Sequence, residues 1–405
     1  MTRSPKSESV TPRLHIYLSS NFWDSLWIIQ QPICNEIRRD DLVLYVERFV
    51  SVFTILRYPA LWRRLFAWLS GMRRLDGQLW VLAPLPLFHL GHRAPWLFRL
   101  EFRIQQLWIR WWVARLPDAI RILWMDNPLH ACAVGAMGEA ARVYHVADEV
   151  SAFPASHTKT MQVLERAALE KVDIVFAAAE QLAADKRRWQ PRTYTIWNAI
   201  DTRAFESEPS LEEFQEIEGL PKPRVAFVGV LDRWVDLGLL ELVATRLPQV
   251  HVLLIGPSRL DDRALRALSN VHFLGRRDRF QIPSILRRCS ASLVPFKKSK
   301  LTERIVPLKV FEALAAGIMP VCTDFSTDLD SLERDHFAAV ARSPDAFVAA
   351  VQRVVAEDST ASRERLSRFG LRQTWRERWL QMNTVISEYL EAAGIDPPVA
   401  ARMSD

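Results

Sequence analysis

Lys309 and Glu312 stand three residues apart within residues 301–321, LTERIVPLKVFEALAAGIMPV, behind Pro307 and ahead of Gly317. Pro307 has the fixed φ that suits the start of a helix, so Lys309 falls in the first turn. Exposed N–H groups and the helix dipole favour an anion there. A cation in that turn opposes the dipole unless a phosphate neutralises both. Glu312 lies one helical turn on, along the same face, with a carboxylate able to accept from two ribose hydroxyls. Gly317 closes the helix, and a buried strand begins at Met319. The competing reading is a capped surface helix with an incidental Lys/Glu pair.

Asp148 and Glu149 form a second constellation, in residues 142–153, RVYHVADEVSAF. A carboxylate at the end of a strand can take a proton from an acceptor hydroxyl, or it can cap the next helix. Asp126-Asn127-Pro128 and Ser19-Ser20-Asn21 occupy similar strand-end positions. His145 sits inside an apolar run and reads as a buried, hydrogen-bonded histidine. Gly229 ends the first apolar run of the second half, where a backbone can approach a phosphate or sugar, and Arg233 follows it. The dinucleotide fingerprint G-x-G-x-x-G and the P-loop are both absent. Asp328-Leu329-Asp330 spells D-x-D but follows the wrong segment, so no metal and no cofactor are expected.

These residues need sheet edges to hold them. Short apolar runs recur at 14–18, 42–46, 79–82, 120–124, 142–146, 173–177 and 194–197, then at 224–230, 251–255, 271–274, 291–295, 319–322 and 338–341. Helical spacing separates them, which predicts parallel sheets covered on both faces. Each half reads as a doubly wound α/β domain with ligands beyond the strand ends. Residues 206–223 hold six Glu and three Pro and read as an acidic linker. The expected domains are therefore 1–205 and 224–358, followed by charged, Trp-bearing helices and a tail over 359–405.

The 405 residues carry a net charge of +6, with 49% apolar and 25% charged residues, which excludes a disordered or fibrous chain. Four scattered cysteines argue against a disulfide scaffold or a zinc module. The first 13 residues show no secretory signal, and no run is long and apolar enough to span a bilayer, so a cytoplasmic location is expected. The charge is not diffuse. Residues 57–115 hold ten Arg against Asp76 and Glu101, a local +8, with seven of the 15 Trp. Two helical stretches, 59–74 and 95–116, interleave Trp62, Trp68, Trp108, Trp111 and Trp112 with Arg63, Arg64 and Arg110. That composition suits an anionic membrane surface, or a core with a solvated basic face. A nucleic-acid partner is not expected, for want of an RNA-binding motif.

Pro307-x-Lys309-x-x-Glu312-Ala-Leu-Ala-Ala-Gly317-x-x-Pro320-Val321 resembles the donor-site signature of GT-B glycosyltransferases, the family-four-like enzymes of bacterial exopolysaccharide and cell-envelope synthesis. Residues 228–236, 254–257 and 273–276 resemble the group's strand ends in order, and Asn198-Ala-Ile-Asp201 resembles its interdomain crossing. The Asp148 segment resembles xanthan-type glucuronosyltransferases, whose Asp is the base.

The resemblance implies two Rossmann-like domains facing across a cleft, with a C-terminal helix crossing back to the first. It implies a nucleotide diphosphate-sugar donor, with a UDP-sugar expected. Glu312 would hold the ribose, Lys309 the pyrophosphate, and Arg276 would flank the base. Arg304 stands where many relatives have a further Glu. Asp148 carries over as base, with Glu149 as fallback. The acceptor implied is a polyprenyl-diphosphate-linked saccharide at the inner face of the plasma membrane. A nucleotide-sugar epimerase and a non-catalytic membrane- or polysaccharide-binding subunit are the alternatives.

Overall fold

The computed structural model describes residues 11–25, 29–88, 95–149, 158–206 and 214–395. The chain divides into two compact units. The first contains β1 (Arg13–Leu18), β2 (Leu42–Val46), β3 (Met72–Arg74), β4 (Leu79–Leu82), β5 (Ile120–Met125), β6 (Ala141–Val146), β7 (Ile174–Ala177) and β8 (Thr193–Thr195). They form one sheet in the order β3-β4-β2-β1-β5-β6-β7-β8, parallel except where β3 runs antiparallel to β4. The second unit contains β9 (Arg224–Val228), β10 (His251–Ile255), β11 (Val271–Gly275), β12 (Ala291–Val294), β13 (Met319–Thr323) and β14 (Ala339–Ala341). Its sheet is parallel throughout, in the order β11-β10-β9-β12-β13-β14.

The apolar runs become strands because both faces of each sheet are covered. Leu14, Ile16, Leu18, Val43, Leu44, Leu123 and Val143 are at most 1% exposed. Each sheet reverses its strand order beside its first strand: between β1 and β5 in the first unit, and between β9 and β12 in the second. Ligands of doubly wound sheets bind at such reversals, so these two carboxyl edges are where chemistry is to be sought.

Three details differ from the expectation from sequence. Residues 59–74 are not one helix: the turns Pro59–Leu61, Trp62–Leu65 and Ala67–Ser70 succeed one another before β3. Gly71 ends them at φ +62°, with the Trp112 indole only 2.2 Å from where a Cβ would lie. The described part of the 206–223 stretch is no free linker, since Phe214 and Ile217 are buried in the second unit's core. That unit already begins at Trp197 and runs to Arg378. The helix Trp375–Ala392 then belongs to the first unit from Trp379 onward. Trp379 is fully buried there, donates from Nε1 to Asp40 Oδ2 at 2.6 Å and meets the His15 ring edge-on at 5.3 Å.

Candidate functional site

In the second unit, Gly229 follows β9 at φ +137°. The helix Leu308–Ala315 carries Lys309 so that its Nζ lies 2.8 Å from the point where a Cβ on residue 229 would stand. Only glycine admits both that backbone and that lysine. Gly256, after β10, is equally constrained: a Cβ would fall 2.1 Å from the Gly229 carbonyl oxygen. The Lys309 ammonium sits over the rings of Phe227 and Phe296, 4.5 and 4.7 Å from their centroids. No ion pair within 4 Å is found for it among the described residues. Burial pushes its pKa down to about 8, and Glu312, one turn on, pulls it back up. Burial also raises the Glu312 carboxyl, against the lowering effect of Lys309. Pro307 is the N-cap of this helix, one position earlier than a Pro at N1. Gly317, at φ +81°, lets the chain turn into β13.

The arrangement can therefore take an anion at Lys309 and hydroxyls at Glu312. The flanking arginines are less directly placed. Arg233 is exposed, and its backbone N–H donates to Asp232 Oδ1 at 2.8 Å. Arg276 is exposed after β11, while its neighbours Arg277 and Arg279 pair with Glu216 and Asp201. Arg304 is half-buried, donates to the Lys300 carbonyl at 3.0 Å, and lines a pocket of about 430 Å³ with Lys298, Glu303, Asp324 and Asp330. Asp328 accepts from the Glu180 N–H at 3.0 Å and from Trp197 Nε1 at 2.8 Å, which explains the D-x-D spelling as a structural bond.

In the first unit, Asp148 follows β6 and is half-buried, and burial alone raises its carboxyl above the usual aspartate range. No hydrogen bond or ion pair ties it to another described residue. Glu149 is the opposite case. Lys186 Nζ donates to Glu149 Oε2 at 3.0 Å and to Glu165 Oε2 at 2.7 Å, and Tyr144 Oη donates to Glu165 Oε1 at 3.0 Å. A carboxylate engaged in that way is held as structure, so the fallback role of Glu149 as base loses its ground. Asp126, after β5, accepts from Ser20 N at 2.9 Å and Ser20 Oγ at 3.0 Å, and burial pushes it up to about 6. His145 is buried, 3.1 Å from the Tyr17 hydroxyl and pushed down to about 4, which fits the reading as a core histidine.

The basic, tryptophan-rich block separates into two populations. Trp62 and Trp111 are 56% and 47% exposed, and Arg63 and Arg110 are also on the surface. Trp68, Trp108 and Trp112 turn inward: Trp108 donates to the Ala83 carbonyl at 3.3 Å, and Trp112 packs under Gly71. Arg64 is drawn in by Glu47, at 3.1 Å, and lies 4.3 Å over the Phe22 ring. The physical reason is the seam Phe102, Gln105, Ile109 and Val113 of the helix Pro95–Val113, which carries Trp108 and Trp112 against the sheet. Leu100, Ile104, Leu107 and Trp111 form the opposite stripe, 46–63% exposed. Among the described residues, no helix is long and apolar enough to cross a membrane.

Two doubly wound α/β sheets, parallel but for the β3 edge and each with a reversal of strand order, are the architecture of the GT-B fold. Residues 222–357, within the second unit, match the family described as glycosyl transferases group 1. A stretch of 226 residues is 21% identical to the teichuronic acid biosynthesis glycosyltransferase TuaH of Bacillus subtilis (strain 168). It covers 52% of this chain and 55% of that protein, so the chain spans about half the length of this relative. Among solved structures, sucrose-phosphate synthase from Thermosynechococcus elongatus aligns over 94% of this chain and 100% of its own, with TM-score 0.66 and 16% identity. Anabaena Alr3699/HepE in complex with UDP and glucose aligns over 95% and 99%, with TM-score 0.58 and 14% identity. The E. coli trehalose-6-phosphate structure bound with UDP-2-fluoro glucose aligns over 93% and 98%, with TM-score 0.66 and 14% identity. At these identities the likeness is one of fold.

Proposed function

We propose that the protein transfers a sugar from a nucleotide diphosphate-sugar, a UDP-sugar by preference, to a lipid-linked saccharide in exopolysaccharide or cell-envelope synthesis. The observation that carries this reading is the Lys309 ammonium set over Gly229 at the β9/β12 reversal, with Glu312 one turn away. A half-buried cation with no ion pair within 4 Å among the described residues is well placed to meet an anion of a ligand. A diphosphate at Lys309 and a ribose at Glu312 satisfy both groups. Lys309 and the backbone N–H groups at that helix start then stabilise the leaving diphosphate, with no metal assigned to the step. Arg233, Arg276 and Arg304 supply further positive charge around the donor. The UDP ligands of two similarly folded proteins support the choice of base.

In the first unit, Asp148 is the base that takes the proton of the acceptor hydroxyl. Its raised pKa, caused by burial, suits a group that must accept a proton near neutral pH. The acceptor is a polyprenyl-diphosphate-linked saccharide presented at an anionic membrane. Support comes from the exposed stripe of Leu100, Ile104, Leu107 and Trp111, which runs beside exposed Arg103 and Arg110 on one helix. Trp62, Phe66, Leu69 and Arg63 add a second exposed apolar and basic surface. Such a surface suits peripheral attachment to the inner leaflet.

The test is release of UDP from a panel of UDP-sugars, with and without an undecaprenyl-diphosphate-linked saccharide. Acceptor-dependent release supports transfer. Conversion of the donor with no acceptor would point instead to an epimerase.

A further inference from the structure

We infer that Asp126 and His130 share a single buried proton, and that this pair sets how firmly Ser20 is held at the ligand edge of the first sheet. Asp126 follows β5 and Ser20 follows β1, the two strands between which the strand order reverses. His130 lies four residues after Asp126, on the short helical turn Pro128–Ala133. Both side chains are withdrawn from solvent, 1% exposed for Asp126 and 5% for His130. Asp126 Oδ2 accepts from Ser20 N at 2.9 Å, Ser20 Oγ at 3.0 Å and Ser19 Oγ at 3.4 Å. Ser19 Oγ in turn accepts from Tyr45 Oη at 2.7 Å and from the Asn21 N–H at 3.0 Å.

The other oxygen of Asp126 is left out of this network. Asp126 Oδ1 and His130 Nδ1 stand 3.6 Å apart, and neither has a hydrogen-bond partner. Burial keeps the imidazole neutral, pushing its pKa down to about 4, and the Leu18 carbonyl takes its one ring proton. Nδ1 is then an acceptor, and an ionised Asp126 offers only acceptors as well. Two buried acceptors side by side stay unsatisfied, whereas one proton between them makes a donor and an acceptor. A closing of roughly 0.7 Å brings them to hydrogen-bond distance. That bond favours the protonated carboxyl and adds to burial, which already pushes Asp126 up to about 6.

Tyr17 on β1, Cys34 on the helix Gln30–Ile37, Tyr45 on β2 and Tyr144 on β6 lie within electrostatic reach of Asp126. Burial pushes all four upward, so they stay neutral. His145 on β6 is pushed down to about 4, and Asp148 follows that strand. The helices packed on the Pro128–Ala133 turn carry buried Glu101 and Glu165, the latter held by Lys186 and Tyr144. Among the described residues, no Lys or Arg pairs with Asp126. Ser20 is half-exposed, and its hydroxyl proton is committed to Asp126, which leaves Oγ able to accept from a ligand hydroxyl. The bonds from Ser20 are charge-assisted while Asp126 is ionised and become ordinary ones once the pair is protonated. The hold on Ser20 therefore weakens as pH falls through about 6. On the transferase reading the saccharide acceptor occupies this edge, so its KM rises over the same range; that consequence alone rests on the reading.

The test is NMR of the full chain labelled with 13C-aspartate and 15N, the Asp126 carboxyl assigned by its loss in Asp126→Asn. The Asp126 carboxyl, the His130 Nδ1 and the Ser20 amide should move together in one titration above the usual aspartate range. His130→Phe removes the acceptor, so the Asp126 titration should move to lower pH by about half a unit or more. In Asp126→Asn an amide N–H takes the place of the shared proton, so the His130 and Ser20 signals should hold still across that range. In the UDP-release assay, the wild-type saccharide KM should rise about threefold or more as pH falls through 6. Asp126→Asn should flatten that rise and keep UDP affinity within twofold of wild type at each pH. An Asp126 titration in the ordinary aspartate range, or one the His130 signal does not follow, overturns the shared proton, as does an unshifted titration in His130→Phe. A Ser20 amide that ignores the titration overturns the hold on Ser20. If His130→Phe does not fold, the wild-type and Asp126→Asn signals carry the same decision. UDP release that never depends on the saccharide would remove the transferase reading, while the NMR signals decide the pair without turnover.

Discussion

Lys186, which is buried, and Lys309, which is half-buried, stand on helices of two units of similar design, and they differ in what neutralises them. Lys186 has two carboxylates within 3.0 Å, supplied by the protein. Lys309 has aromatic faces and a constrained glycine around it, and its pKa falls to about 8. The first pattern is that of a charge used to hold structure. The second, with Glu312 one turn away but no ion pair within 4 Å among the described residues, is the pattern on which the proposed diphosphate site rests. The same contrast separates Glu149, which is engaged, from Asp148, which has no bonded partner among the described residues.

The sharpest break of this comparison is at the two carboxylates after β6. Asp148→Asn should lower turnover by about 10²–10⁴-fold with UDP affinity unchanged, the range expected when a general base is removed. Single-turnover kinetics and calorimetry check the two halves of that statement. Next come the donor residues: Lys309→Ala should cost about 1.5–3 kcal/mol of UDP binding and Glu312→Ala a similar amount, as lost hydrogen bonds to charged groups do. A Lys186 variant should leave the same affinity untouched.

The pH dependence sharpens the contrast further. In the proposed site Lys309 meets the diphosphate as the ammonium, so UDP affinity should fall as pH rises through about 8. Lys309→Arg, which cannot lose its charge in that range, should flatten the fall. Gly229→Ala should weaken UDP binding as well, because its methyl group meets the Lys309 ammonium at 2.8 Å and the backbone is held at φ +137°. The smallest effect belongs to the surface. Each of Arg63→Ala and Arg110→Ala should reduce flotation with anionic liposomes by about 1 kcal/mol. Trp62→Ala and Trp111→Ala should reduce it too, whereas substitutions at Trp108 or Trp112 should lower Tm instead.

How much of this the sequence carried depended on how local the signal was. The thirteen apolar runs all correspond to strands, because parallel strands covered on both faces must be apolar along their whole length. Strand β3 escaped notice: three residues with exposed Arg73 and Arg74 on an antiparallel edge leave no apolar run. Lys309 and Glu312 were legible because their partnership spans a single helical turn. Lys186 was not, since its partners lie 21 and 37 residues away and it is one of three consecutive basic residues, 186–188, with nothing local to mark which is buried. The tryptophans were legible as a group but not individually. Only the seam through Ile109 and Val113 shows that Trp108 and Trp112 face the core while Trp111 faces outward.

The central claim is that the Lys309 and Glu312 pair in the second unit is a nucleoside diphosphate site. Isothermal titration of UDP into the wild type, Lys309→Ala and Glu312→Ala proteins tests it most directly. Saturable binding by the wild type, weakened about tenfold or more in each variant, is the predicted result. Equal affinity in all three proteins would contradict it.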